Sequence, residues 1–324
     1  MTFSLDDKWV WDFWFTRDGD EIHVFYLQAP KNLVAEERRH RNATIGHAVS
    51  RDLHHWRVLP DPLDRGAPGE FDDLATWTGS AIRGHDQWYL FYTGVSTVDD
   101  GSIQRVGYAT STDLITFTRS GRPPFETDPR WYEELAGSTE VEQSWRDPWV
   151  FADQQDPSLF QMLLTARVKQ GPGLGRGVVA HATSHNLKDW VAHEPVTDPG
   201  QMVSLEVPSV HFIGGKWRLF YCTHERWASE ERRARSDTPL TTGTYYMSGD
   251  SPLGPFSEGA HPLLLGRPYY AGRVLLWGGQ WYLMAFVGVL DDGSFAGELS
   301  SPIPLEITEE GDLRVNPYRE FSRS

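Results

Sequence analysis

Three acidic residues stand inside short runs of otherwise apolar and aromatic sequence. They are Asp12 in Val10-Trp11-Asp12-Phe13-Trp14-Phe15, Asp147 in Trp145-Arg146-Asp147-Pro148-Trp149-Val150-Phe151, and Glu206 in Leu205-Glu206-Val207-Pro208-Ser209-Val210. A carboxylate in such a run costs desolvation, and carboxylates brought together repel one another. A fold accepts that cost mainly at a working site. With no metal-ligand pattern beside them, three acids suit glycoside hydrolysis: one attacks or activates water, and another, with a raised pKa, protonates the leaving oxygen. A single isolated Asp is better explained by local hydrogen bonds or by pairing with Arg146 or Arg273. Three at matching places in a repeat argue for chemistry.

The repeat is what must position them. A short hydrophobic run recurs five times: Ile22-His23-Val24-Phe25-Tyr26, Trp88-Tyr89-Leu90-Phe91-Tyr92, Leu159-Phe160-Gln161-Met162-Leu163, Trp217-Arg218-Leu219-Phe220-Tyr221 and Trp281-Tyr282-Leu283-Met284-Ala285. A second run follows each at about twenty residues, as in Ser50-Arg51-Asp52-Leu53 with Trp56 and Ser111-Thr112-Asp113-Leu114 with Phe117. The fifth copy, 295–305, is degraded. A period of roughly 60 to 70 residues rich in β-branched and aromatic types marks repeated small sheets. Five such sheets set radially make a five-bladed β-propeller. The expectation is therefore an all-β single domain over residues 1–324 with almost no helix. About 12 to 15 residues before each run lies the segment that forms the innermost strand of its blade. These are the three acid segments, Thr76-Trp77-Thr78-Gly79-Ser80-Ala81-Ile82 and Tyr269-Tyr270-Ala271-Gly272-Arg273-Val274. Innermost strands line the central funnel, so Asp12, Asp147 and Glu206 are expected at nearly equal depths, converging at one end of the axis.

Composition narrows the function. Hydrophobic residues are 39% of the chain and aromatics 13%, with 14 Trp, enough for a large core. Aromatics also suit sugar stacking, although most Trp in a propeller pack between blades. The net charge of -15, from 30 basic and 45 acidic residues, argues against nucleic acid or an anionic membrane as partner. The expected partner is a small carbohydrate substrate; the oligomeric state is left open. The N-terminal residues show no apolar signal core and no stretch approaches a membrane span, so a cytoplasmic location is expected. The one Cys, Cys222, lies in a strand run and reads as buried and inert.

Other motifs are weak. His181 and His185 are four apart but in a strand-turn setting, His54 and His55 adjoin in a turn, and no Cys-x-x-Cys or His-Glu-x-x-His exists. No metal or cofactor is expected. Gly173-Leu174-Gly175-Arg176-Gly177 lacks the Lys-Ser/Thr of a phosphate loop. Asp52 and Asp113 read as turn residues. Stretches 60–69 and 171–177 read as loops between strands, 35–41 as a short helix or exposed loop, and the charged run 225–235 as solvated, with a substrate-facing loop as its lesser alternative.

The acid segments resemble those of the five-bladed-propeller glycosidases that act on fructosides: invertases, levanases, inulinases and levansucrases. The resemblance spans all five blades but rests on short motifs. Arg146-Asp147-Pro148 is similar to that family's Arg-Asp-Pro motif, its most specific, which implies that Asp147 holds sugar hydroxyls and stabilises the transition state, with Arg146 a substrate-positioning neighbour. Glu206-Val207-Pro208 resembles the Glu-Cys-Pro motif, implying Glu206 as general acid/base, with Val207 in place of the Cys. The segment 10–14 resembles the levansucrase form of the nucleophile motif and lacks the Asn and Pro of the invertase form; it implies Asp12 as nucleophile. Trp77-Thr78-Gly79-Ser80-Ala81 is similar to the segment lining the sugar pocket, which brings in Trp77 and Ser80. Trp14 and Trp149 are candidates for the pocket wall, and Trp11, Tyr270 and Arg273 are counted as substrate-binding. The resemblance implies a retaining reaction through a fructosyl-enzyme, cleaving β-fructofuranosides such as sucrose or short fructo-oligosaccharides, with transfer to sugars possible. The arabinanases and xylosidases share the propeller and its three carboxylates and invert, and a non-catalytic sugar- or protein-binding propeller is the third alternative.

Overall fold

In a computed structural model the described residues are 2–33, 35–137, 142–171, 173–236, 240–256 and 260–316. They form five antiparallel sheets, the blades of a five-bladed β-propeller. The first blade is β1 (Lys8–Asp18), β2 (Glu21–Pro30), β3 (Thr44–Ser50) and β4 (Arg57–Leu63). The second is β5 (Ala75–Arg83), β6 (Trp88–Val95), β7 (Arg105–Ser111) and β8 (Thr118–Arg119). The third is β9 (Trp145–Ala152), β10 (Phe160–Arg167), β11 (Gly177–Ser184) and β12 (Val191–His193). The fourth is β13 (Glu206–Ile213), β14 (Lys216–Thr223), β15 (Gly243–Gly249) and β16 (His261–Leu265). In the fifth, β17 (Tyr269–Trp277) and β18 (Gln280–Val289) are followed by a split third strand, β19 (Phe295–Leu299) and β20 (Ile303–Ile307), both paired with β18, and then β21 (Leu313–Val315). The split explains the degraded fifth copy of the repeat.

The recurring hydrophobic runs are the second strands. Each is covered on both faces by neighbouring blades, which is why β6 and β10 are buried along their whole length and read as continuous apolar sequence. The second recurring run is the third strand with its turn. In that turn Oδ1 of Asp52 accepts from the backbone N–H of His54 and His55 at 2.9 and 2.8 Å, and Asp113 does the same for Ile115 and Thr116. The side chains stabilise a turn that puts Leu53 and Leu114 at φ of 64° and 58° while both leucines stay in the core. Asp52 and Asp113 are therefore turn residues. Residues 60–63, expected in a loop, belong to β4.

The N-terminal segment closes the ring: Phe3 and Leu299 of β19 exchange backbone hydrogen bonds at 2.9 and 2.8 Å. Helix among the described residues is limited to short pieces such as the 3-10 turn Glu36–Asn42 and the α-helix Glu230–Ala234. None is long and apolar enough to cross a membrane. Cys222 is buried as expected, and burial pushes its thiol up to about 12.

Trp14, expected at the pocket wall, points into the blade instead. It is fully buried and stacks on Phe25 with ring centroids 5.9 Å apart, because the register shift at Asp12 displaces the alternation of β1 by one residue and turns the Trp14 side chain away from the axis. Trp14→Ala is expected to cost about 3–5 kcal/mol of stability in a urea titration, as other large-to-small aromatic core changes do. A loss below about 1 kcal/mol accompanied by lost activity would return Trp14 to the site.

Candidate active site

All five innermost strands break register at the same place. In β1 the bulge lies between Trp11 and Phe13, and in β5 between Trp77 and Gly79. In β9, β13 and β17 it lies beyond Arg146, Glu206 and Tyr270. Bulges re-aim side chains next to functional sites. Here they stack the axial residues in three tiers. The upper tier is Trp11, Trp77, Arg146, Glu206 and Tyr270. The middle tier, on the bulged residue, is Asp12, Thr78, Asp147, Val207 and Ala271. The lower tier, where pairing resumes, is Phe13, Gly79, Trp149, Ser209 and Arg273. Asp147, Val207 and Ala271 share a left-handed backbone, with φ of 58°, 47° and 50°. For a β-branched valine this is strained, and such strain collects at functional sites.

The three acids thus converge, but not at one depth. Asp12 and Asp147 share the middle tier, and Glu206 sits one tier above. All three line a cavity of about 690 Å³, within the usual range for a small-ligand cleft. In the upper tier Glu206 is held from both sides. The Tyr270 hydroxyl donates to its Oε2 at 2.5 Å, and Arg146 donates to its Oε1 at 2.8 Å. Arg146 also reaches Gln104 and Glu142 at 3.1 Å, and its Nε lies 3.5 Å from Asp147. In the middle tier Asp147 Oδ2 accepts from the Thr165 hydroxyl at 2.8 Å and the Val207 N–H at 3.1 Å. Among the described residues Asp12 has one long bond, from the Thr78 hydroxyl at 3.4 Å.

Electrostatics follow from this inequality. Burial, then the charges of Asp147 and Glu206, push the Asp12 carboxyl up to about 7, against Arg273 and Arg39. Burial and Glu206 also raise Asp147, opposed by Arg146, the Val207 N–H and Thr165. The Tyr270 phenol is driven up by burial and by Glu206, so it stays a donor.

The family profile described as "Glycosyl hydrolases family 32 N-terminal domain" matches residues 14–317. The chain belongs to glycosyl hydrolase family 32. Asp12 lies just outside the matched span, so its place rests on geometry. Among family 32 relatives, a sucrose-6-phosphate hydrolase of Zymomonas mobilis is 33% identical over 176 residues, 53% of this chain and 30% of that protein. The vacuolar acid beta-fructofuranosidase 2 of a Rosa hybrid cultivar is 41% identical over 87 residues, 26% of this chain and 12% of that protein. The chain thus spans less than a third of the length of these relatives. An inulosucrase from Halalkalicoccus jeotgali, bound to kestose, superposes with a TM-score of 0.77 over 96% of this chain and 87% of that one at 22% identity, which shows the fold.

The cavity takes in Trp11, Trp77, Arg146 and Tyr270 of the expected substrate-binding set. Trp77 is anchored by its indole N–H to the His40 carbonyl at 2.7 Å. Three other expectations are corrected. Ser80 is buried between blades, its Oγ accepting from the Val150 N–H at 3.0 Å. Trp149 lies in the lower tier against His211 and Arg273, below the cavity. Arg273 is buried and spends its donors on backbone carbonyls. Lining residues outside the expected set come from two loops, one of them the run for which a substrate-facing position was the lesser alternative. Arg39 and His40 come from the 3-10 turn, and Arg226 and Trp227 from the charged run read as solvated. The run's charge hid a Trp whose face carries the Arg226 guanidinium 4.6 Å from the ring centroid.

Asp12 binds its proton more tightly in the fold than in the unfolded chain, so it destabilises the protein increasingly as pH rises from about 4 to about 7. Asp12→Asn is expected to raise stability by about 1–4 kcal/mol at about pH 8, the upper figure reduced by pocket solvent, with the gain shrinking toward about pH 4. Thermal denaturation across that range checks it; a destabilised Asp12→Asn protein at about pH 8 would refute the strained-acid account.

Proposed function

We propose that the propeller is the catalytic domain of a retaining glycoside hydrolase acting on β-fructofuranosides such as sucrose or short fructo-oligosaccharides. The observation that carries this is the convergence of Asp12, Asp147 and Glu206 on one cavity in a family 32 chain. In the first step the ionised Asp12 attacks the anomeric carbon. The bond to the leaving oxygen breaks, and Glu206 supplies its proton. In the second, Glu206 takes a proton from water or an acceptor sugar, whose oxygen displaces Asp12. Asp147, already organised by Thr165 and Val207, holds sugar hydroxyls with bonds that strengthen as positive charge develops. Tyr270 and Arg146 keep Glu206 in place between steps. Interception of the intermediate by a sugar gives fructosyl transfer.

A phosphorylated leaving sugar is a second form of this reading. Arg226 and Arg267 line the same cavity as Glu206, make no ion pair among the described residues, and both lower the pKa of His224. That is unusual in a chain of net charge -15 and suits an anionic substituent.

The test is early-time NMR of the sugar released from sucrose, sucrose 6-phosphate, short fructans and arabino-oligosaccharides. The expected result is cleavage of fructosides, a first product with the substrate's own anomeric configuration, and glycosyl transfer to added alcohol. An inverted first product, or turnover of arabinosides alone, would make Asp12 a general base. No turnover of any sugar, with binding intact, would favour the non-catalytic propeller.

A further inference from the structure

Arg273 occupies the propeller axis directly beneath the acids, at the height of Phe13, Trp149 and Ser209. Its guanidinium reaches into two other blades. Nε donates to the Phe13 carbonyl at 3.0 Å, and one Nη donates to the Val207 carbonyl at 2.9 Å and the Pro208 carbonyl at 3.3 Å. It lies over the Trp149 ring, 5.9 Å from the centroid. Phe13 is the residue after Asp12, and Val207 is the residue after Glu206. One planar group therefore ties together the backbone of the two strands that carry these acids. Arg273 makes no ion pair among the described residues, and the carboxyl groups that act on its charge from a distance are Asp147 and Asp12. A buried charge is expensive, and packing alone would be served by an apolar side chain.

We propose that Arg273 is a positioning residue for the hydrolysis: its guanidinium sets the separation of the Asp12 and Glu206 carboxyl groups by joining Phe13 to Val207 and Pro208, and its charge offsets the repulsion that Asp12 meets from Asp147 and Glu206. The inference rests on Asp12 and Glu206 being nucleophile and acid/base. Separation matters because a retaining pair stands about 5–5.5 Å apart and an inverting pair about 6.5–9.5 Å. A misplacement of about 1 Å can cost about 100-fold in rate. The charged groups facing Asp12 are Asp147 of β9, Glu206 of β13, Arg273 of β17 and Arg39 of the 3-10 turn. Beside Arg273 itself stand His211, kept neutral by burial, and Cys222.

Two variants separate the two roles. Arg273→Lys keeps the charge and loses the fork of donors; Arg273→Met loses both. On sucrose, Arg273→Lys is expected to lower kcat by about 10- to 100-fold with KM within about 2-fold of wild type, and to keep the acid limb of the kcat/KM profile in place. Arg273→Met is expected to lose kcat similarly and to move that limb to higher pH. Wild-type kcat in Arg273→Lys would overturn the tie between strands. A change confined to KM would make Arg273 a substrate contact and overturn the proposal. An unmoved acid limb in Arg273→Met would overturn the charge role. If Arg273→Met does not fold, Arg273→Gln, which keeps N–H donors without the charge, supplies the pH measurement. Asp12→Ala and Glu206→Ala are assayed alongside. Wild-type turnover in either means that the catalytic assignment has failed, whereas inactive Asp12→Ala and Glu206→Ala with unaffected Arg273 variants means that only the positioning role has.

Discussion

Mutual repulsion among three carboxyl groups is the constraint around which the centre of this propeller is built. Asp12, Asp147 and Glu206 share one cavity, and each is quietened by different means. Glu206 has two strong donors, Arg146 and Tyr270. Asp147 has a hydroxyl, a backbone N–H and the nearby Arg146. Among the described residues Asp12 has only a long bond from Thr78 and the charges of Arg273 and Arg39, and it is the acid pushed up to about 7. The least supported carboxyl is the one assigned the attack on carbon. Burial beside two other acids favours its protonated form, so Asp12 attacks only once it has ionised.

Backbone geometry distributes these supports. A bulge at one height in every innermost strand turns successive residues onto the axis, where regular alternation would send every second one into the blade. Three blades hold a non-glycine residue at positive φ there, each costing on the order of 1–3 kcal/mol. Packing of the blades and the closure between Phe3 and Leu299 must offset that cost. Arg273 joins the bulges of different blades from below, so the acids are set by the ring as a whole as well as by their own strands.

Much of this was legible in the sequence. The five-fold run of apolar residues follows from second strands buried on both faces, and the Ser-x-Asp-Leu copies follow from turns that need an Asp oxygen to stabilise a left-handed Leu. The three acids stood out because each interrupts an apolar segment. What the sequence hid was register. A bulge shifts facing by one residue without changing composition, so Glu206 was placed level with Asp147 when it aligns with Arg146 and Tyr270. The same shift explains Trp14, Ser80 and Trp149, which look like pocket residues in a linear reading and face blades or the tier below. Arg226 and Trp227 were hidden for another reason: a charged loop looks the same in sequence whether it faces bulk water or a sugar cleft.

The central claim is that Asp12 forms a covalent bond to the sugar while Glu206 handles the proton. It is tested most directly by trapping. Glu206→Gln, given a fructoside with a good leaving group, should accumulate the glycosyl-enzyme, since the leaving group needs little protonation while the intermediate lacks its base for hydrolysis. Mass spectrometry of the digested protein should then find one hexosyl increment on the peptide containing Asp12, absent in the Asp12→Asn, Glu206→Gln double variant. An increment on another acid, or rapid turnover with no adduct and an inverted product, would contradict the account.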